Sequence, residues 1–180
     1  MSQVVSGDIT DFKCDALITA VNGGGLWYGG IDGALRRKAG DFFHDQARPL
    51  IGENDGSAIV THGNGKTPFG KVVFVCDNLA KPLSDIIYSG LVAARESGAE
   101  TVSIPAIRTG VMLGQVEKTL DEVSEQYRLG IDRFQKEGNY LDISFVVYDN
   151  PELQEKLALI NDELCLPDDF VPNRGQSQEL

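Results

Sequence analysis

The feature that most constrains the fold is an alternation along the chain between short runs rich in Val and Ile and longer segments with helical periodicity. Each short run is a candidate buried strand, and the longer segments repeat their apolar residues every three or four positions, as amphipathic helices do. Strands that alternate with helices predict an α/β layer structure. The predicted strands are 16–21, 57–62, 71–76, 101–105 and 140–148. The predicted helices are 33–40, with a continuation toward residue 47 left open, 83–98, 115–136 and 151–164.

The length and the composition favour one ordinary globular domain. The chain has 180 residues, of which 42% are hydrophobic and 24% are charged. That balance excludes wholesale disorder, and we find no internal repeat and no linker. We therefore expect a single domain over residues 1–165. Residues 166–180 contain two prolines and few apolar residues, so we expect a poorly ordered C-terminal tail there.

The charge and the cysteines limit the partners and the compartment. The formal net charge is −11, most of it after residue 115, so the chain offers no basic face for nucleic acid. Acidity favours a soluble monomer. No apolar run reaches the roughly 20 residues of a membrane helix, and the N-terminus is unlike a signal peptide. Three widely separated cysteines make a disulfide framework implausible, which predicts a reducing, cytoplasmic location.

The first candidate binding element is the glycine-dense loop at 23–33, which follows a predicted strand directly. Its backbone can bring amide groups close to a phosphate, and the helix that follows adds its N-terminal dipole. Asn22 ends the preceding strand, and Asp32 stands where a helix N-cap belongs. The simpler alternatives are a flexible connection and an aspartate that only caps the helix. Neither the dinucleotide fingerprint nor a P-loop is present.

The second candidate element is the loop at 106–114, which also follows a strand. Thr109, Gly110 and Val111 offer three successive amides, which is a second possible anion nest. The alternative is a plain connection from strand to helix. In open α/β sheets, ligands bind where strands end, and both loops stand at such positions.

Five segments in order resemble the signature of the macrodomain family. They are Gly7-Asp-Ile-Thr10, Asp15-Ala-Leu-Ile-Thr-Ala-Val-Asn22, Gly29-Gly-Ile-Asp-Gly-Ala34, Gly56-Ser-Ala-Ile-Val-Thr61 and Ile104-Pro-Ala-Ile-Arg-Thr-Gly-Val111. The resemblance covers roughly residues 4–150. Members of this family bind ADP-ribose and related molecules on a three-layer α/β/α sandwich with a mixed central sheet. The resemblance implies that fold and that ligand class for this chain.

The resemblance also implies roles for individual residues. Asp8 resembles the carboxylate that accepts a hydrogen bond from the adenine amino group, with the Ile9 amide beside it. Asn22 resembles the asparagine that holds the distal ribose, and Asp32 the aspartate that positions or activates water. Tyr148 is similar in place to the residue that stacks on adenine, although it could simply cap the sheet edge. Taken together with the two loops, we predict as ligand-binding residues Asp8, Ile9, Gly29, Gly30, Ile31, Arg108, Thr109, Gly110, Val111, Met112 and Tyr148.

Several positions depart from the family pattern. Thr19 stands where many active relatives have an asparagine, and Met112 replaces a common aromatic residue. Trp27 and Tyr28 replace glycines near the distal ribose, where they could stack on a further ligand group, close the pocket or only cover the core. Arg108 replaces a usually small residue and could pair with an extra phosphate.

The leading hypothesis is an ADP-ribosyl hydrolase that acts at the distal ribose of ADP-ribose or of an ADP-ribosylated substrate. Asn22 and Asp32 would be its catalytic residues. The alternatives are a non-catalytic reader or scavenger of an ADP-ribose-type signal, and an ADP-ribose-1″-phosphate phosphatase. His44 is expected to be a packed or surface histidine. The two histidines and three cysteines show no ligand spacing, so we expect no metal and no cofactor.

Overall fold

A computed structural model describes residues 3–22, 29–52, 54–110 and 112–164. Within them lie six strands, five α-helices and two short 3-10 turns, at Ile9–Asp11 and Arg48–Leu50. The strands are β1 Gln3–Ser6, β2 Cys14–Val21, β3 Ala58–His62, β4 Phe69–Cys76, β5 Thr101–Ile104 and β6 Asp142–Val147. The helices are α1 Gly29–Ala39, α2 Phe42–Ala47, α3 Leu83–Glu96, α4 Leu120–Lys136 and α5 Pro151–Leu164.

The six strands form one mixed sheet in the order β1-β6-β5-β2-β4-β3. Every neighbouring pair is parallel except β3 and β4, which are antiparallel. Helices cover both faces, so the predicted three-layer sandwich with a mixed central sheet is confirmed. Because five strands run in the same direction, their carboxyl ends lie at one edge of the sheet.

The two faces of β2 show how the sequence builds the layers. Successive side chains of a strand point to opposite faces. Ala16, Ile18 and Ala20 therefore join the core beneath α3, α4 and α5, while Leu17 and Val21 join the core beneath α1 and α2. By the same alternation, Thr19 points toward α1 and α2.

The structure differs from the sequence-based prediction mainly in the helix starts. Helix α1 begins at Gly29, so Asp32 lies in its first turn and does not occupy the predicted N-cap. Gly40, with φ of +59°, separates α1 from α2. Helix α4 begins at Leu120, where the Thr119 side chain caps the Glu122 amide, five residues later than predicted.

Some predictions concern residues beyond those described. The predicted C-terminal tail at 166–180 lies outside them, as do Trp27, Tyr28 and Val111. Among the helices of the described part of the chain, none has the length and apolar character needed to cross a membrane.

Candidate functional site

The carboxyl edge of the sheet gathers the polar residues singled out in the sequence. Asp8 follows β1, Tyr148 follows β6, the loop 105–110 follows β5 and Asn22 follows β2. The strand order β1-β6-β5-β2 therefore places these four elements in a row along one edge. Loops at this edge are the usual ligand-binding elements of a parallel sheet. We call 105–110 the phosphate loop, after its expected role.

The first end of this row holds Asp8 and Tyr148 on neighbouring strand ends. The Gly7 amide donates to the Val147 carbonyl over 3.1 Å, which joins the ends of β1 and β6. The side chain of Tyr148 is 77% exposed, so its ring is open to solvent. An exposed aromatic ring beside a carboxylate suits a ligand that offers both a flat face and a hydrogen-bond donor.

Asp8 is held in place by its own turn. Its Oδ1 accepts from the Thr10 hydroxyl at 2.7 Å and from the Thr10 amide at 2.9 Å. The hydrogen bond from the Thr10 side chain is the main cause that lowers the pKa of Asp8 below its ordinary value. Asp8 is therefore a fixed, ionised acceptor at neutral pH. Ile9, whose amide follows it, is buried.

At the other end, Asp32 meets two nitrogen donors. Its Oδ1 lies 2.7 Å from His44 Nε2 and 3.1 Å from Arg36 Nε. His44 comes from α2 and is only 1% exposed, with its ring against Phe74. Burial lowers the pKa of His44, although the hydrogen bond to Asp32 opposes this. The neutral imidazole then donates its Nε2 proton to the carboxylate, which anchors one oxygen of Asp32.

A small cavity lies beside this anchored carboxylate. Asp32, Thr19, Ile31 and His44 line it together with core residues of β2, β4 and α1. Thr19, one of the departures from the family pattern, therefore lines the same cavity as Asp32. Gly29 and Gly30 form the first turn of α1 just before Ile31.

The structure corrects the expectation for Arg108. Its side chain is 1% exposed and turns into the protein, where it cannot pair with a ligand phosphate. Nε and Nη2 donate to the two oxygens of Asp77 at 3.1 and 2.7 Å, and Nη1 donates to Glu117 at 2.9 Å. Nη2 also donates to the Lys81 carbonyl at 2.8 Å. Burial works against the charge, but the two carboxylates outweigh it and raise the pKa of Arg108.

The first half of the phosphate loop rests on Tyr127 of α4. The Tyr127 hydroxyl donates to the Pro105 carbonyl and accepts from the Ile107 amide at 2.8 Å. The side chain is fully buried, and that burial raises the pKa of its phenol. Thr109, Gly110 and Met112 lie near the surface beyond this anchor.

The sequence analysis expected a packed or surface His44, and His44 is buried, but its contact with Asp32 was missed. The contacts of Tyr127, Asp77 and Glu117 were missed as well. His44 meets Asp32 across 12 positions, and Asp77 meets Arg108 across 31, so no local spacing marks either pair. By contrast, the Asp32–Arg36 pair, four residues apart on one helix, has a spacing that sequence reasoning can detect.

The site and the fold together define the class of protein. The sequence model of the family described as Macro domain matches residues 18–122, and the chain belongs to the macrodomain family.

Two curated relatives illustrate the range of similarity. A macro domain-containing protein of Lactiplantibacillus plantarum is 34% identical over 117 residues, which cover 61% of this chain and 67% of that protein. The ADP-ribose glycohydrolase MACROD1 of Rattus norvegicus is 31% identical over 143 residues. That match covers 71% of this chain and 55% of the rat protein, so the chain spans about half of that relative.

Solved structures show the same fold at lower sequence identity. The Oceanobacillus iheyensis macrodomain with MES bound has a TM-score of 0.70 at 22% identity, with 89% of this chain and 90% of that chain covered. The Trypanosoma brucei macrodomain in complex with ADP-ribose has a TM-score of 0.72 at 23% identity, with coverage of 86% and 66%.

Proposed function

We propose that this macrodomain binds ADP-ribose or a derivative along the carboxyl edge of its sheet and hydrolyses a bond at the distal ribose. The reaction would remove mono-ADP-ribose from a carboxylate ester. The observation that carries the proposal is the Asp32 carboxylate, anchored through Oδ1 by His44 and Arg36 beside a small cavity near the end of β2. The relative MACROD1 is named an ADP-ribose glycohydrolase, and the T. brucei macrodomain was solved with ADP-ribose, which supports the ligand class.

The order of the elements along the edge suits the order of the parts of ADP-ribose. Asp8 would accept from the adenine amino group while Tyr148 stacks on the base. The backbone amides of Thr109 and Gly110 would hold the diphosphate, as fixed dipoles that need no cation. Asn22 would hold the distal ribose at the far end of the row, next to the strand that leads to Asp32.

The chemistry assigned to Asp32 is the orientation of a water molecule. Anchoring of Oδ1 fixes the carboxylate plane, so Oδ2 can accept a hydrogen bond from a water in one direction. The water oxygen attacks C1″ of the ribose, and the bond from C1″ to the ester oxygen breaks. The hydroxyl stays on the ribose and the proton leaves to solvent or to the released carboxylate. The products are ADP-ribose and a free carboxylic acid.

The test combines binding and turnover on three proteins. We expect the parent to bind ADP-ribose in a calorimetric titration and Asp8→Ala to bind it at least about tenfold more weakly. We expect Asp32→Ala to keep ADP-ribose affinity within about threefold and to lose at least about tenfold in release of ADP-ribose from a glutamate-ester-modified protein.

Each alternative function has its own outcome in this test. Equal turnover in the parent and in Asp32→Ala contradicts the assignment of Asp32. Tight binding without any release of product favours the reader or scavenger. Release of phosphate from ADP-ribose-1″-phosphate would indicate the phosphatase, although the Arg108 side chain that motivated that alternative points into the protein.

A further inference from the structure

We infer that Arg108 is a positioning residue, which holds the phosphate loop in its binding shape from the protein side through a buried ion cluster with Asp77 and Glu117. The inference rests on the proposed function, because it assigns the loop 105–110 to a ligand diphosphate. Arg108 would then not touch the phosphate itself but would act on phosphate binding indirectly, through the shape of the loop.

The cluster joins segments that are distant in the chain. Asp77 directly follows β4, Glu117 lies just before α4, and Arg108 lies in the loop after β5. Glu117 Oε2 also accepts from the Leu83 amide, the first residue of α3, at 3.2 Å. One guanidinium therefore ties the phosphate loop to the ends of three other elements.

The cluster is buried and well paired. Asp77 and Glu117 are 0% and 5% exposed, and burying a carboxylate is costly unless it is paired and hydrogen-bonded. The planar guanidinium supplies a two-point contact to Asp77 and further contacts to Glu117, a geometry that lysine cannot reproduce. The Leu79 amide adds a bond to Asp77 Oδ1 at 3.0 Å. Such a cluster specifies one arrangement of its segments more than it adds stability.

The backbone at Arg108 needs this support. Its φ is +61°, in the left-handed region that side chains other than glycine rarely adopt. Strained residues of this kind persist where the surroundings determine their conformation, and they concentrate at ligand sites. The turn at Arg108 sets the direction of the next peptide groups, which are the Thr109 and Gly110 amides assigned to the diphosphate.

Two anchors together leave the loop little freedom to rearrange. Tyr127 holds Pro105 and Ile107 from α4, and Arg108 holds the second half. A loop that is already in its bound shape loses less conformational entropy when a ligand binds. We therefore expect that loosening the cluster weakens the binding of ligands that carry the diphosphate. The binding of ligands without a diphosphate should not change.

The experiment compares Arg108→Lys and Glu117→Gln with the parent and with Glu125→Gln. Lysine keeps the charge of Arg108 and loses its planar two-point contact. In Glu117→Gln, the side-chain carbonyl still accepts from the Leu83 amide, while the bond to Arg108 weakens because the negative charge is gone. Glu125 forms an exposed ion pair with Arg128 on α4 and provides a matched control. Each protein is titrated with ADP-ribose by calorimetry and with adenosine by NMR, and backbone hydrogen exchange of the loop is measured without ligand.

We expect Arg108→Lys to lower the affinity for ADP-ribose about tenfold and the affinity for adenosine less than about twofold. Glu117→Gln should lower the affinity for ADP-ribose about threefold, and Glu125→Gln should have the affinity of the parent. Exchange at the buried Ile107 amide, which donates to the Tyr127 hydroxyl from the same loop, should be faster in both cluster variants. If Arg108→Lys does not fold, the results for Glu117→Gln alone test the inference.

Unchanged ADP-ribose affinity in the folded cluster variants overturns the inference, as does equal weakening of both ligands. Unchanged exchange at the Ile107 amide overturns it as well. A parent protein that binds neither ligand overturns the proposed function instead. The exchange rates of the parent and the cluster variants without ligand then still show whether Arg108 holds the loop.

Discussion

Among the single residues, His44 has the clearest effect on the site: this buried side chain from α2 contacts Asp32 of α1 and fixes one of its oxygens. Three charged groups act on its ring: Asp32, Arg36 and Asp41. The burial of the ring is the largest influence, and it lowers the pKa of His44 below its ordinary value of 6.5. The folded protein therefore keeps this imidazole neutral at a pH where the unfolded chain takes up a proton.

This difference predicts a dependence of stability on pH. Below pH 6.5, the unfolded state binds more protons at residue 44 than the folded state, so the free energy of unfolding falls as the pH falls. The loss cannot exceed about 1.4 kcal/mol per pH unit for one proton. Urea unfolding at several pH values between neutrality and pH 5 should show this slope in the parent and a smaller one in His44→Gln.

The control for this prediction is His62→Gln, at the exposed histidine that ends β3. It should keep the slope of the parent. Asp8, Asp15 and Asp55 also have lowered pKa values, but stability from these carboxylates is lost only nearer to their ordinary value of 3.8. Parallel curves for the parent and His44→Gln would show that residue 44 does not titrate differently on folding.

At the scale of elements, the packing of α4 on α3 depends on Gly130. A Cβ at this position would lie 2.7 Å from the Ser84 carbonyl oxygen and 3.0 Å from Ile87 Cβ. A backbone carbonyl in α3 cannot move aside as a flexible side chain can. The two helices therefore approach as closely as they do because residue 130 has no side chain.

We expect Gly130→Ala to destabilise the protein by about 1–3 kcal/mol, because the overlap outweighs the better helix propensity of alanine. Gly33→Ala is the matched control, since among the described residues a Cβ at Gly33 would meet the end of the Arg37 side chain, at 3.3 Å, and no backbone atom. That variant should be neutral or more stable by up to about 1 kcal/mol. Thermal and urea unfolding measure both, and a Gly130→Ala protein as stable as the parent would contradict the packing argument.

The elements also show what the sequence could and could not predict. The buried strands β2, β4 and β5 have continuous apolar runs, so periodicity located them within about two residues. Strand β1 is short and only partly buried, with no apolar run to indicate it. The residues in contact with Asp32 and Arg108 were missed because such contacts arise only when separate elements pack together.

For the molecule as a whole, the net charge of the protein repels the proposed ligand as it approaches. The chain has a net charge of −11, and a diphosphate is also anionic. Long-range repulsion slows encounter and is screened by salt, while the assigned amide contacts act at short range. We therefore expect association of ADP-ribose to become faster when NaCl is raised from about 20 to about 200 mM. Stopped-flow binding measures this rate, and affinity that falls steeply with salt would indicate a basic contact surface instead.

The pairing of β1 with β6 has a consequence for synthesis of the chain. Gln3 bonds to Ser144, 141 positions later, so β1 cannot take its place in the sheet until β6 has been made. On the ribosome, β2, β4 and β5 can pair while β6 is still inside the exit tunnel. Asp8 reaches its place beside Tyr148 only after β6 has emerged. The adenine end of the proposed cleft is thus assembled after the rest of the cleft, and a nascent chain becomes competent for the whole ligand only once Tyr148 has left the exit tunnel.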